Sequence, residues 1–244
     1  QAANITAVGV STRPRAVEGS YMPCFLVGYS HARLLADALN VPLVEVSHQQ
    51  GHVAASLWSA GHMELLSQPH LAWHLSGGTT ELLMVEPVGK NVACTKIGGT
   101  SDISAGQLID RTGQLLQLPF PSGKYLDVLS QQAAGADLFR VKCADMTFSL
   151  SGVQNKVQQY HEKNGIPAET AAYALRCVAF AVFQATKQAL QRYPGLPVVF
   201  SGGVASNTML RQTLEPLNPI FAQPQYSTDN AMGVAVLAHR AMEV

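Results

Sequence analysis

The segment VSHQQGHVAA places His48 and His52 four residues apart. On a helix such positions share a face, so both imidazoles can offer nitrogen to one metal ion. Two solvated histidines at a helix start would show the same spacing. Two histidines alone hold a metal weakly, so a carboxylate or a further histidine must come from elsewhere in the chain. Asp229, in YSTDNAMG, is the best-placed carboxylate, with capping of the following helix as its plainer role. The segment is not the H-E-x-x-H of zinc proteases, because Gln49 follows the first histidine and no glutamate lies within it to act as base. His74 lies in an apolar run two residues before Ser76-Gly77-Gly78, and strand alternation turns it to the side of Ser76. His31, His62, His161 and His239 read as solvated, and His70 as a turn residue.

A second kind of chemistry is suggested by three glycine-bearing segments, LSGGTTE (75–81), PSGK (121–124) and FSGGVASN (200–207). Two of them put Ser-Gly-Gly directly after an apolar strand, where backbone N–H groups can approach an anion with no Cβ in the way. Most Gly-Gly pairs are plain turns. Two in one chain, each after a buried strand, point to nucleotide phosphates. Neither is a Walker A loop.

The elements that must carry these residues alternate in type. Strands are expected at 5–11, 43–47, 71–76, 80–85, 94–97, 196–201 and 220–222. Helices are expected at 25–40, 48–60, 103–118, 125–134, 153–162, 168–193, 207–217 and 229–242. Strands mixed with helices define an α/β chain whose helices cover a sheet. With 244 residues, 47% of them hydrophobic and 13% charged, the chain can bury a substantial core and is not disordered. Its 16 basic residues balance 16 acidic ones, which removes a polybasic surface but leaves local patches open; Arg13, Arg15, Arg111 and Lys124 are the basic residues expected to meet a polyanion. Four widely spaced cysteines form no C-x-x-C pair, which argues against a zinc ribbon and fits a reducing compartment. Without an apolar run of membrane-spanning length or a leader pattern, a cytoplasmic location is expected.

Taken in order, SHQQGH, LSGGTTEL, AGQLIDRT with LPFPSG, FSLSGV, SGGVASNTMLR and TDNAM resemble the TsaD/Gcp/Kae family. These are the tRNA threonylcarbamoyladenosine modification proteins once described as O-sialoglycoprotein endopeptidases. The resemblance runs from about Ile5 to the C-terminus. It implies the actin/hexokinase/Hsp70-like ATPase fold of two RNase H-like lobes, here with the first lobe incomplete, because the chain begins near the family's third or fourth strand and lacks its opening Asp-Thr-Ser loop. Residues 1–66 would be the remainder of the first lobe, 67–229 the second lobe, and 230–244 a closing helix.

The resemblance also implies site residues. His48, His52 and Asp229 would hold iron or zinc, and His74 stands where some members place a tyrosine ligand, which gives a four-ligand expectation. ATP or an acyl-adenylate would meet His74, Leu75, Ser76, Gly77, Gly78, Asp110, Gly123, Gly202, Gly203 and Asn207. The implied reaction is metal-dependent transfer of threonylcarbamoyl from its adenylate to adenosine in tRNA. Nucleotide, tRNA, proteins of the threonylcarbamoylation complex and a second copy of the chain are the expected partners, with no membrane. The chain departs from the family at Gln50 and Gln107, where glutamate is usual, and at Thr79 for histidine. It also departs at Ile103 for aspartate, and at Gln154 and Asn155 near a usual lysine. These neutral replacements favour a competing reading, a catalytically reduced nucleotide- and metal-binding paralogue with a regulatory or scaffold role. Glycoprotease activity is disfavoured for want of a glutamate base.

Overall fold

The computed structural model describes residues 4–226 and 230–243. Asp229 therefore lies outside the described residues. In chain order the strands are β1 (Val8–Arg13), β2 (Leu43–Ser47), β3 (His70–Leu75), β4 (Thr80–Val88), β5 (Asn91–Thr100), β6 (Cys143–Ala144), β7 (Thr147–Phe148), β8 (Val198–Ser201) and β9 (Ile220–Phe221). The α-helices are α1 (Cys24–Leu39), α2 (His48–Ala60), α3 (Ala105–Leu115), α4 (Gly123–Ser130), α5 (Ser151–Asn164), α6 (Pro167–Arg192), α7 (Thr208–Leu214) and α8 (Ala231–Met242). Short 3-10 turns lie between several of them.

The chain forms two compact units. The first comprises Gln1–His70, Met84–Thr95 and Gln225–Val244. In it β1 and β2 pair in parallel, Val8 opposite Leu43 and Val10 opposite Glu45. Helix α2 starts directly after β2 because Ser47 and Gln50 form a capping box: the Ser47 hydroxyl accepts from the Gln50 amide, and Gln50 Oε1 accepts from the Ser47 amide at 2.7 Å. Helices α2 and α8 lie backbone against backbone, since a Cβ on Gly233 would strike the carbonyl of Gly51. Val53, Leu57, Leu66, Val234 and Leu237 are buried in this unit.

The second unit comprises Leu71–Leu83 and Lys96–Pro224. Its sheet follows the order β6-β7-β5-β4-β3-β8-β9, with the outer part of β4 and β5 (84–95) counted in the first unit. Strand β3 runs parallel to β8 with His74 opposite Ser201, and β8 parallel to β9. The long helix α6 is rich in buried alanines, which lets it sit close to its neighbours, and its Thr186 hydroxyl accepts from the buried Trp73 indole at 2.9 Å. Trp73, Leu75, Phe200 and Leu108 are fully buried around it.

Two local expectations are corrected. His70 is not a turn residue: it opens β3, is fully buried, and its Nδ1 meets the Gln68 carbonyl at 3.0 Å. Strands β6 and β7 were not expected. Asp145 and Met146 both adopt positive φ between them (47° and 61°), the backbone of a two-residue hairpin that usually carries Asn-Gly.

Candidate functional site

The parallel pairing of β3 with β8 brings the two Ser-Gly-Gly turns side by side at the carboxyl ends of neighbouring strands. This is where ligands bind in open α/β sheets. The join depends on glycine at one position. Gly202 has φ of 91°, and a Cβ there would meet the Leu75 carbonyl carbon at 2.6 Å, so only a residue without a side chain lets the strand ends close on each other. On the β3 side, the Ser76 hydroxyl accepts from the Thr79 amide at 3.1 Å and the Ser76 amide donates to the Thr79 carbonyl at 2.8 Å. Thr79 thus serves through its backbone.

Beside these turns the second unit holds a cavity of about 380 Å³ whose lining includes Gly77, Asp110, Gly123, Lys124, Asp127 and Asn207, with Gly203 at the β8 turn. Helix α3 is fixed against the β3 turn by a capping box of Ser104 and Gln107, by the Ser104 hydroxyl donating to the Gly77 carbonyl at 2.6 Å, and by the Ala105 amide donating to Thr80 Oγ1 at 2.8 Å. That presents Asp110 one turn later, where its Oδ1 accepts from the Ser122 amide at 2.9 Å and so ties α3 to the segment that starts α4. Asn207 caps α7, its Oδ1 accepting from Leu210 at 2.9 Å while its Nδ2 donates to Asp127 at 2.8 Å. Asp127 also accepts from the Thr208 amide and hydroxyl.

Of the ten residues expected at a nucleotide, five line this cavity: Gly77, Asp110, Gly123, Gly203 and Asn207. Leu75 is buried in β3, Gly202 packs on its backbone, Ser76 shapes the turn, and Gly78 is exposed at the turn. The His74 ring lies 3.4 Å from the Ser201 hydroxyl in the second unit. Asp127 was missed. Its signal in SGKYLDVLS was only a carboxylate one turn after a glycine, which solvated helices show as often.

In the first unit His48 and His52 meet as the i, i+4 spacing requires, with Nε2 atoms 3.1 Å apart and rings edge to face at 4.4 Å. Both rings are half-buried, and Phe25 lies edge-on to His48 at 5.7 Å. Asn230, which follows Asp229 in the sequence and precedes α8, donates to the His48 carbonyl at 2.7 Å and accepts from the Ser11 hydroxyl at 3.0 Å. His48, Ser11 and Asn230 line a second cavity, of about 550 Å³. Two imidazole nitrogens on a common ion, each roughly 2.0–2.1 Å from it, stand about 2.9–3.4 Å apart, so the pair fits a shared metal. Among the described residues no three histidine, cysteine, aspartate or glutamate side chains cluster as a complete metal site.

Three of the neutral replacements, Gln50, Gln107 and Gln154, make local side-chain bonds. Gln50 and Gln107 occupy the third position of capping boxes, where Gln and Glu serve alike. Gln50 also donates from Nε2 to the Val92 carbonyl at 2.6 Å, which a glutamate could not do. Gln154 accepts from the Arg111 guanidinium at 2.6 Å, whereas nothing in the structure explains Ile103, whose amide would donate to Asp102 whatever its side chain. At Asp102, partial burial raises the carboxyl's pKa. Hydrogen bonds from the Ser149 and Ser151 hydroxyls and the Leu150 and Ser151 amides outweigh it, holding the group well below the usual range. Arg13 is exposed at the end of β1, and the Pro14 carbonyl beside it accepts from the Gln49 amide. No helix among the described residues is long and apolar enough to cross a membrane.

The fold is similar to that of solved proteins of the actin-like ATPase class. HypF in a phosphate- and nucleotide-bound form matches with a TM-score of 0.67 at 14% identity, over 87% of this chain and 45% of that one. An activator of 2-hydroxyisocaproyl-CoA dehydratase from Clostridium difficile, with bound ADPNP, matches at 0.52 and 12% identity, over 93% and 84%. Within this α/β ATPase fold the family is also defined. The chain belongs to the TsaD family, tRNA N6-adenosine threonylcarbamoyltransferase, which it matches over residues 1–236. It is 32% identical to the tRNA N6-adenosine threonylcarbamoyltransferase of Carboxydothermus hydrogenoformans, over 96% of this chain and 71% of that protein. It is 34% identical to the same-named protein of Streptococcus suis, over 87% and 62%.

Proposed function

We propose that this chain carries the nucleotide- and metal-handling core of a transferase that moves threonylcarbamoyl from its adenylate to adenosine in tRNA. The observation that carries the reading is the convergence of Gly77, Gly203, Gly123, Asp110 and Asn207 on one cavity of the second unit. Its glycine turns suit phosphate oxygens. A Cβ on Gly77 or Gly203 would meet no atom within 4 Å, so the open space over these backbones is what an anion could fill. Asp110 repels phosphate but accepts well from hydroxyls, which suits it to the ribose end, while Asp127 holds Asn207 and the start of α7, and Lys124 is the cation of the lining.

In the first unit His48 and His52 would hold one divalent ion, iron or zinc, together with Asp229. When bound, the ion supplies Lewis acidity toward a phosphate or carbamoyl oxygen. The protein's part is to aim both Nε2 atoms at one point, which α2 does by its capping box and by the Asn230 bond to the His48 carbonyl. His74, the fourth ligand expected from the sequence, lies at the β3 strand end with its ring 3.4 Å from the Ser201 hydroxyl.

The test is ATP and adenylate binding by the full-length protein, with transfer to tRNA followed by mass spectrometry. Asn207→Ala is expected to weaken nucleotide binding about tenfold or more, the cost of one hydrogen-bond anchor. Unaltered affinity in that variant would overturn the assignment of the cavity.

A further inference from the structure

A second hollow of about 430 Å³ adjoins the nucleotide cavity, and Asp110 lines both. Its wall carries Phe120, Arg111, Gln114 and Gln117. Phe120 is 82% exposed, the most exposed of the large apolar side chains among the described residues. It is nonetheless held by its backbone. Pro119 and Pro121 flank it, the Ser122 hydroxyl donates to the Pro119 carbonyl at 3.0 Å, the Ser122 amide donates to Asp110, and the Leu118 amide donates to the Gly113 carbonyl at 2.8 Å. Arg111 is likewise fixed, by its bond to Gln154.

We infer that this hollow takes an unstacked purine base carried on an RNA strand, the acceptor of the transfer. An exposed aromatic ring on a fixed backbone is a stacking platform, and single-stranded bases are recognised by such rings and by side chains at their edges. The amides of Gln114 and Gln117 each offer a donor beside an acceptor, the pattern that matches adenine's amino group and ring nitrogen. Arg111 supplies the cation for a flanking phosphodiester. The lining has one cation and no glycine turn, so a free triphosphate finds no cradle, whereas a base with one neighbouring phosphate does. Through Asp110 the base would sit beside the nucleotide that donates the acyl group. The inference rests on the acceptor reading above and adds the side chains that would recognise the base.

The experiment uses the full-length protein and an RNA hairpin with 2-aminopurine at an unpaired loop position. Stacking on Phe120 quenches the fluorophore. Phe120→Ala is expected to weaken hairpin binding about tenfold or more and to remove the quench, while Phe120→Trp keeps both. Gln117→Leu should lower discrimination of 2-aminopurine and adenine loops from uracil loops. ATP affinity should stay at the wild-type value in all three. Because the ring is in solvent, melting temperatures should not move, which separates lost stacking from lost folding. Wild-type hairpin affinity in Phe120→Ala, or ATP binding by a wild-type protein that ignores the adenine loop, would overturn the inference while the nucleotide reading stands. Hairpin binding that depends on Phe120 in a protein that fails to bind ATP would support the base site and count against the nucleotide cavity. Displacement of the hairpin by equimolar free AMP would overturn the RNA-borne source.

Discussion

Replacing Gly106 by alanine should damage the cavity proposed for nucleotide from a position outside the glycine turns. A Cβ at this position would stand 2.5 Å from the Ser76 carbonyl oxygen and 2.8 Å from the Gly77 amide nitrogen, and against Gly77 Cα as well. All three are backbone atoms and cannot rotate aside. Restoring ordinary contact requires α3 and the β3 turn to part by about 1 Å, toward the roughly 3.5 Å of a relaxed contact. Overpacking of this kind costs about 1–3 kcal/mol, a fall in melting temperature of about 2–12 °C for a chain of this size. The same shift strains the bond from the Ser104 hydroxyl to the Gly77 carbonyl. It moves a cavity wall by a distance that can cost up to about a hundredfold in activity. Gly77→Ala is the matched comparison: no atom lies within 4 Å of its Cβ and its φ is not left-handed. It should melt as wild type yet bind ATP less well, because the methyl enters the cavity wall. Scanning fluorimetry and calorimetric ATP titration read both. A Gly106→Ala protein with wild-type melting and wild-type ATP affinity would refute the packing argument.

Other expectations follow from the same geometry. Gln50→Glu, a change toward the family's usual residue, should destabilise by about 1–3 kcal/mol, because it removes a buried donor and sets a carboxylate against the Val92 carbonyl; denaturant unfolding checks it. Asp102→Asn should lose about 1 kcal/mol at neutral pH by weakening bonds to the start of α5. Since folding depresses the Asp102 carboxyl's pKa, its contribution is complete above the unfolded value of about 4 and is lost as pH falls toward the folded one. The gap between wild type and variant should therefore narrow in acid. His48→Ala and His52→Ala should each lower metal content by tenfold or more in elemental analysis, as removal of one of few ligands does, and the melting temperature of the metal-free proteins should barely change. Retained metal in both would remove the histidine pair from the site.

What could be read from the residues alone was what periodicity and spacing encode. Strand β3, helix α2 and the long helix α6 follow runs whose periodicity is strong in the sequence. The i, i+4 histidines and the paired Ser-Gly-Gly turns were legible for the same reason. The adjacency of those turns was not, because the parallel pairing of β3 with β8 joins segments over a hundred residues apart. Asp127 was hidden because its part depends on Asn207, eighty residues later in the chain. The β6–β7 hairpin escaped because Asp145-Met146 is an unusual pair for two left-handed positions. As lost charges Gln50 and Gln107 suggested a catalytically reduced protein; in the structure each has a capping partner three residues before it.

The most direct measurement of the central claim is mass spectrometry of tRNA nucleosides after incubation of the full-length protein with threonylcarbamoyl adenylate, a divalent metal and unmodified tRNA. Threonylcarbamoyladenosine formed by wild type, and reduced at least tenfold in Asn207→Ala and in His48→Ala, is the result the account predicts. Product formed at wild-type rate by both variants, or no product from a wild-type protein that binds the adenylate and the metal, would contradict it.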